Sequence, residues 1–170
     1  MAKRKIVQDG DEILRKKCKP VTEFNEKLHV LLDDMLETMR AANGVGLAGS
    51  QVGILRRVAV VSVEPETVYD LVNPEILETE GEQEDVEGCL SFPGIWGIVK
   101  RPYRVKVRAQ NRNGEWYEVE GEGLLARAFC HEIDHLDGIL YVDKMVREIF
   151  PDEEAEADGE AETDGEEEGE

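Results

Sequence analysis

The chain has 170 residues, of which 41% are hydrophobic, and this is enough to bury the core of one domain. It contains no apolar run of about 18 residues and no signal-peptide pattern, so we expect neither a membrane span nor export, but a cytoplasmic protein. Three cysteines without an export signal predict reduced thiols rather than a disulfide framework.

The net charge of −19 is concentrated at one end of the sequence. Twelve of the 39 acidic residues and none of the 20 basic residues lie in 151–170, which leaves −7 for residues 1–150. Because this segment also lacks aromatic and long aliphatic side chains, we predict one domain at 1–150 and a disordered acidic tail at 151–170. The tail either keeps the protein soluble or docks on a basic partner, and its charge disfavours direct nucleic-acid binding.

Two helices bracket a series of short strands in the prediction. Leucine and methionine recur at helical spacing over residues 24–43, where Asn25 or Thr22 would cap the helix and Gly44 would end it. A second helix is predicted at 124–136. Strands are predicted at 57–63, 70–72, 75–78, 104–109 and 115–119, with Asn113-Gly114 joining the last two in a hairpin. This order lacks βαβ alternation, so it indicates an α+β fold with small antiparallel or mixed sheets around the C-terminal helix.

The pattern most typical of a metal centre is His131-Glu132-Ile133-Asp134-His135, inside the second predicted helix. Residues four apart lie on one face of a helix, so both imidazoles can approach one ion with Glu132 beside it. The alternative interpretation is a pair of surface histidines on an acidic helix.

A catalytic metal site typically needs a third protein ligand and keeps one position for water. The acidic residues after His135 do not follow the longer zinc-peptidase patterns. Upstream, Cys89 stands in Glu87-Gly88-Cys89-Leu90-Ser91, and its thiolate would complete a Cys/His/His site for zinc or ferrous iron. Taken alone, a single cysteine is more typical of a small buried apolar residue.

Residues 44–53 contain four glycines and place one long amide, Gln51, near their end. Such spacing permits close approach of the backbone to a ligand. No Gly-Lys-Ser/Thr follows, so the segment is not a phosphate-binding loop, and by itself it predicts only a turn.

Together and in this order, the three segments resemble the signature of peptide deformylases, which is Gly-x-Gly-x-Ala-Ala-x-Gln, then Glu-Gly-Cys-Leu-Ser, then His-Glu-x-x-His. The resemblance extends from about Ile6 to Val146. The sequence departs from the pattern where Gly49 replaces the second alanine and where Cys130 replaces a frequent glutamine, and we expect Cys130 to be a packing residue rather than a ligand. The acidic tail also replaces a basic helix of some members.

The resemblance implies a metal-dependent hydrolase that removes the formyl group from the N-terminal formylmethionine of newly made polypeptides and releases formate. It implies Cys89, His131 and His135 as metal ligands. The implied ion is Fe²⁺, with Zn²⁺, Ni²⁺ or Co²⁺ as other occupants. Water activated by the ion would attack the formyl carbon, with Glu132 as general base and then general acid.

The resemblance also assigns residues around the reacting centre. The side chain of Gln51 and the backbone N–H of Leu90 would face the developing oxyanion. Backbone that would pair with an extended peptide lies at Val45, Gly46 and Gly88, and the walls of the methionine pocket would be Leu124 and Ala128.

Glu87 and Arg101 would brace the cysteine loop, although they could also be unrelated surface charges. The implied partners are formylmethionyl ends of nascent chains, with transient proximity to the ribosome and no membrane. Two other functions stay open at this point. One is a zinc peptidase of the His-Glu-x-x-His type, and the other is a non-enzymatic protein whose structural zinc is closed by Cys130.

Overall fold

The computed structural model describes residues 2–150; Met1 and the acidic segment 151–170, predicted above to be a disordered tail, lie outside the described residues. The division of the chain at residue 150 therefore stays a prediction. Short 3₁₀ turns lie at Glu12–Arg15 and Gly49–Val52. The helices and strands of residues 2–150 are α1 (Glu26–Ala41), β1 (Gly46–Ala48), β2 (Val58–Glu64), β3 (Thr67–Glu80), β4 (Gln83–Cys89), β5 (Phe92–Arg101), β6 (Arg104–Gln110), β7 (Trp116–Glu122), α2 (Leu124–Leu136), α3 (Tyr141–Lys144) and β8 (Met145–Ile149).

The strands form two antiparallel sheets with α2 packed against them. The first sheet has the order β1-β2-β3-β6-β7 and the second has the order β4-β5-β8. Helix α2 contacts β1, β2 and β7 of the first sheet and β5 of the second. The predicted α+β class is confirmed. No helix in residues 2–150 is both long enough and apolar enough to cross a lipid bilayer.

Helix α1 is two residues shorter at each end than the predicted range 24–43, and of the two predicted caps Asn25 is the one used. The side chain of Asn25 accepts a hydrogen bond from the N–H of Leu28 at 3.2 Å, which caps the first turn. At the other end Asn43, not Gly44, adopts the left-handed conformation with φ 59°. The N–H of Gly44 then bonds to the carbonyl of Met39 at 2.9 Å, which closes a Schellman motif. Asparagine tolerates this conformation better than most residues, so it took the position we assigned to glycine.

The strand predictions found β2, β3, β6 and β7 of the first sheet, but they missed β1 and the whole second sheet. The two runs predicted at 70–72 and 75–78 form one strand, β3. The pairing of β3 with β6 shifts register between Val72 and Glu75, where the prediction had placed a break. Asn73 lies at this irregularity with φ 49°, and its side chain bonds both backbone groups of Val21. Strands β4, β5 and β8 were not predicted, since their sequences are rich in charge and glycine and lack a clean apolar alternation.

The N-terminal segment holds two loops of the first and second sheets together. The N–H of Val7 donates to the carbonyl of Gln51 at 2.7 Å, and the N–H of Asp9 donates to the carbonyl of Ser91 at 2.8 Å. Nearer the start, the N–H of Ala2 donates to Asp34 of α1 at 2.8 Å. We call residues 2–9 the N-terminal strap, because they connect α1 to both loops.

We predict that Asp34 stabilises the fold in a pH-dependent way. The N–H of Ala2 and then the guanidinium of Arg4 hold the pKa of Asp34 below its usual value, although burial opposes them. The carboxylate therefore contributes stability above the usual aspartate pKa of about 3.9, and the contribution is lost as the pH falls through and below that value. Asp34→Asn should lower the free energy of unfolding by about 1 kcal/mol at pH 7, and the difference from wild type should shrink toward pH 3 in urea titrations.

The matched control is Asp33→Asn, because the pair of Asp33 with Arg112 is exposed and should contribute little. A difference for Asp34→Asn that stays constant with pH, or that equals the control, would contradict this pH-dependent role of Asp34.

Candidate metal centre

Three potential metal ligands from distant parts of the sequence meet between α2 and the end of β4. Sγ of Cys89 lies 3.4 Å from Nε2 of His135, which in turn lies 3.2 Å from Nε2 of His131. The ligand atoms of all three residues lie within 4.8 Å of one another. The histidines share one face of α2, as their spacing of four predicted. The pairing of β4 with β5 shifts register between Glu87 and Cys89, and an irregularity of this kind re-aims the side chain that follows it.

The surroundings of the three donors fit a divalent cation. Nδ1 of His131 lies 2.9 Å from Oε2 of Glu87, so the other ring nitrogen, Nε2, faces His135 and is available as a metal ligand. Burial alone would lower the pKa of His131, but the charge of Glu132 and the hydrogen bonds with Cys89 and Glu87 raise it well above its usual value. These groups therefore favour a positive charge between them. Burial lowers the pKa of His135, which keeps that imidazole in the neutral form a metal requires.

Glu87 is the centre of a buried charge network rather than one half of a pair. Its carboxylate accepts hydrogen bonds from Arg101 at 2.7 and 3.2 Å and from Arg127 at 3.1 Å, in addition to its contact with His131. Burial alone would raise the pKa of Glu87, but these bonds from His131 and Arg101 lower it to about 2. Both Glu87 and Arg101 are less than a tenth exposed, so neither is a surface charge.

Sequence reasoning missed two members of this network. Arg127 lies one helical turn before His131 and also donates to the carbonyl of Val99 at 3.0 Å. Asp134 accepts from Arg101 at 2.6 Å and pairs with Lys144 at 2.9 Å. The signal in the sequence was a charged residue on the inward face of an otherwise apolar helix, which is uncommon without a buried partner.

Glu132 projects into the site from the same turn as His131. Its side chain is 4% exposed, and its Oε1 has no hydrogen-bond partner among the described residues. Burial, opposed by the charge of His131, raises the pKa of Glu132 to about 7. The carboxylate packs against Gly46, where an added methyl group would lie 2.3 Å from Oε2. Only glycine at position 46 leaves room for Glu132 in this position.

Gln51 approaches the cysteine from the glycine-rich segment. Its Nε2 lies 3.4 Å from Sγ of Cys89 and 3.1 Å from Oγ of Ser91, while its Oε1 accepts from the N–H of Ala48 at 2.9 Å. Gly49, the departure from the family motif, lies where an added methyl group would come within 3.0 Å of two backbone carbonyl oxygens. The loop is therefore packed tightly around Gly49, which stands where the family motif has alanine.

These groups open onto a cavity of about 550 Å³. Leu124 is half-exposed at its mouth, whereas Ala128 is buried deeper along the same helix. His135 and Arg101 lie behind the lining rather than in it. The lining contains every other site residue that the sequence suggested, namely Val45, Gly46, Gln51, Glu87, Gly88, Cys89, Leu90, Leu124, Ala128, His131 and Glu132.

Cys130 is not part of the three-donor group found in residues 2–150. Its side chain is 4% exposed and packs in the core cluster with Phe129 and Ile133. Burial raises the pKa of the Cys130 thiol to about 11, so it is protonated at neutral pH. A protonated, core-packed thiol is a poor metal ligand.

Similarity to known proteins identifies the family of this chain. The family model described as Polypeptide deformylase matches residues 3–149. The chain belongs to the polypeptide deformylase family.

Relatives and solved structures agree with this deformylase assignment. A peptide deformylase from Acetivibrio thermocellus is 61% identical over 153 residues, which cover 90% of this chain and 89% of the relative. One from Caldicellulosiruptor bescii is 57% identical over 153 residues, covering 90% and 92%. The crystal structure of the peptide deformylase from Thermotoga maritima matches with a TM-score of 0.83 at 44% identity, covering 86% of this chain and 100% of that one.

The family and the enzyme class predicted from the three motifs are thereby confirmed. This deformylase is an amide hydrolase of a metal-dependent family, and Cys89, His131 and His135 form a potential metal site in it.

We predict that the charge network supports metal retention. Arg101→Ala removes two hydrogen bonds to Glu87 and the bond to Asp134, so His131 loses part of its support. Metal affinity should fall about 10- to 100-fold, as is typical when an outer partner of a ligand is removed. Competition with a chromophoric chelator at fixed pH measures this change.

Arg104→Ala is the matched control, since its ion pairs are on the first sheet and their acidic partners are exposed. If Arg101→Ala retained the ion as well as this control, the network would have no part in holding the ligand.

Proposed function

We propose that this deformylase removes the formyl group from the N-terminal formylmethionine of newly made polypeptides in the cytoplasm and releases formate. The observation that carries the proposal is the meeting of a Cys/His/His donor set with Oε1 of Glu132, which has no hydrogen-bond partner within residues 2–150, at one cavity. High identity to curated peptide deformylases supports the same activity.

One divalent ion would be held by Cys89, His131 and His135. When bound, it supplies a Lewis acid for the formyl oxygen and for water. Thiolate and imidazole suit both iron and zinc, so the ligand types leave the choice of ion open. Family resemblance favours Fe²⁺ as the working ion, with Zn²⁺, Ni²⁺ or Co²⁺ as substitutes.

Glu132 would move the proton in both halves of the reaction. It takes a proton from the attacking water as the new C–O bond forms at the formyl carbon. It then gives this proton to the departing nitrogen as the C–N bond breaks, which leaves formate and a free amino terminus. Its burial beside the donors and its free Oε1 support this role.

Two donors would stabilise the oxyanion that develops on the formyl oxygen. Nε2 of Gln51 is held near Cys89 by Ser91 and by the bond from Ala48 to Oε1, so its orientation is set before the substrate arrives. The backbone N–H of Leu90, which lines the same cavity, is the second donor in the proposal.

The substrate peptide would lie between two strand edges. Strand β1 ends the first sheet and β4 ends the second, so each has one edge without a strand partner in residues 2–150. Val45, Gly46 and Gly88 lie at or next to these edges and line the cavity, which suits pairing with an extended peptide. Leu124 and Ala128 would contact the methionine side chain.

The two rival functions receive less support. A structural zinc site fills all four positions with protein atoms, yet Cys130 packs in the core and does not join the other three donors. A general zinc peptidase would cleave internal bonds, and an assay separates it from a deformylase. Formate release from formyl-Met-Ala-Ser, with no cleavage of an unformylated internal peptide, is the expected result for protein purified without oxygen.

We predict that Glu132→Ala lowers kcat by about 10²- to 10⁴-fold, because it removes the general base and acid. Metal content should stay close to that of the wild type, since Glu132 is not among the three donors. The control is Glu84→Ala, whose exposed carboxylate pairs with Lys100. Equal rates for Glu132→Ala and wild type at equal metal content would refute the assigned role.

We predict that Gln51→Ala lowers kcat by about 10²- to 10³-fold with a much smaller change in KM, since the donor acts on charge that develops in the transition state. Ser91→Ala keeps the amide but removes the hydroxyl that orients it, so it should show a smaller loss of the same kind. Steady-state kinetics on formyl-Met-Ala-Ser measure both. A rise in KM alone would show that Gln51 binds the ground state instead.

A further inference from the structure

A strongly basic surface lies outside the cavity lining. Lys16, Lys17, Lys19 and Arg56 are all exposed, and we call these four residues the basic patch. None of them lines the cavity described above. The patch stands out because residues 1–150 carry a net charge of −7.

The backbone brings the two parts of the patch together. Lys19 and Arg56 form an isolated parallel β-bridge, and the N–H of Lys19 donates to the carbonyl of Leu55 at 3.0 Å. Cys18 is 2% exposed and faces the core, so Lys17 and Lys19 on either side of it face outward.

The four patch residues have no acidic partner in residues 2–150, whereas the arginines next to them in sequence do. Arg15 pairs with Asp143 at 2.5 Å, and Arg57 pairs with Asp137 at 2.9 Å. The four patch residues form no ion pair or side-chain hydrogen bond with any described residue. The other lysines and arginines of residues 2–150 for which this holds are Lys3, Lys5 and Lys27. Neighbouring like charges repel, so the patch favours an anionic group placed over it.

We propose that the acidic segment 151–170 docks on the basic patch of its own chain. The segment carries twelve acidic residues and no basic residue, which makes it complementary to the patch in charge.

The start of the acidic segment is within reach of the patch. Asp143 marks one edge of the patch through its pair with Arg15. Phe150 follows Asp143 by seven residues, so it lies at most about 25 Å from that edge. The twenty residues after Phe150 can span up to about 70 Å, and fewer than half of them are needed to cover the distance.

Docking within one chain is favoured over a partner in trans. A covalent connection gives the segment an effective concentration of about millimolar at the patch. Phosphate groups of a nucleic acid match the patch in charge, but the acidic segment would repel them and compete for the same lysines. The proposal therefore assigns the patch to the segment, and nucleic-acid binding becomes an outcome of the test.

Zero-length carbodiimide crosslinking of the full chain followed by mass spectrometry tests the proposal. The carboxylates of 152–170 should crosslink to Lys16, Lys17 and Lys19, and the yield should fall about tenfold in 1 M salt, where the Debye length is about 3 Å. An equal mixture of ¹⁴N- and ¹⁵N-labelled protein should give only unmixed crosslinks. Mixed-isotope products, or equal yields at Lys3, Lys5 and Lys27, would overturn docking within the chain.

Matched variants extend the test to competition with a polyanion. The triple variant Lys16→Gln, Lys17→Gln and Lys19→Gln removes three patch charges, and its control is Lys3→Gln, Lys5→Gln and Lys27→Gln. A full chain whose acidic residues in 151–170 are changed to their amides should bind a single-stranded RNA oligonucleotide about tenfold more tightly than wild type at low salt. The gain should vanish in the patch triple variant and persist in the control.

Two results of the RNA titration would overturn the proposal. One is equal RNA affinity with and without the acidic charges, and the other is a gain that does not depend on the patch lysines. Deformylation of formyl-Met-Ala-Ser is followed in parallel and should not change, because the patch lies outside the cavity. Docking and the proposed reaction can therefore fail independently.

Discussion

A carboxylate buried between two arginines and a histidine holds the potential metal ligands in place. An ionised carboxylate buried without partners would be unstable, but Glu87 receives hydrogen bonds from Arg101, Arg127 and His131. These residues belong to β4, β5 and α2, so one anion fixes the second sheet against the helix that carries both histidines. The position of Cys89, two residues after Glu87 in the same strand, follows from this contact.

The same site contains two glutamates with opposite environments. Partners around Glu87 lower its pKa to about 2, whereas burial raises the pKa of Glu132 to about 7. A permanently charged group suits the support of a ligand, and a group that titrates near neutrality suits proton transfer. Two residues of the same type thus have environments suited to different tasks, one to support and the other to proton transfer.

The sequence predicted the parts of the site that depend on local spacing. The face shared by His131 and His135 follows from helical periodicity, and both helix positions were right within a few residues. The position of Cys89 could be inferred only by family resemblance, because β4 and β5 lack the alternation by which strands are recognised. The roles of Arg127 and Asp134 could not be predicted for a further reason. Their partners are distant in sequence, and a buried ion pair becomes visible only when the chain is folded.

The N-terminal strap has a consequence for the order in which parts of the fold can form during synthesis. Val7 and Asp9 are synthesised before their partners Gln51 and Ser91, and the last of the three potential metal ligands is His135. At about 5–20 residues per second, several seconds of synthesis separate the strap from the ligand helix. Until Ser91 has been synthesised, the strap lacks one of its two loop partners. Because two of the three potential metal ligands lie on α2, this group of donors is complete only after the chain has been extended through α2.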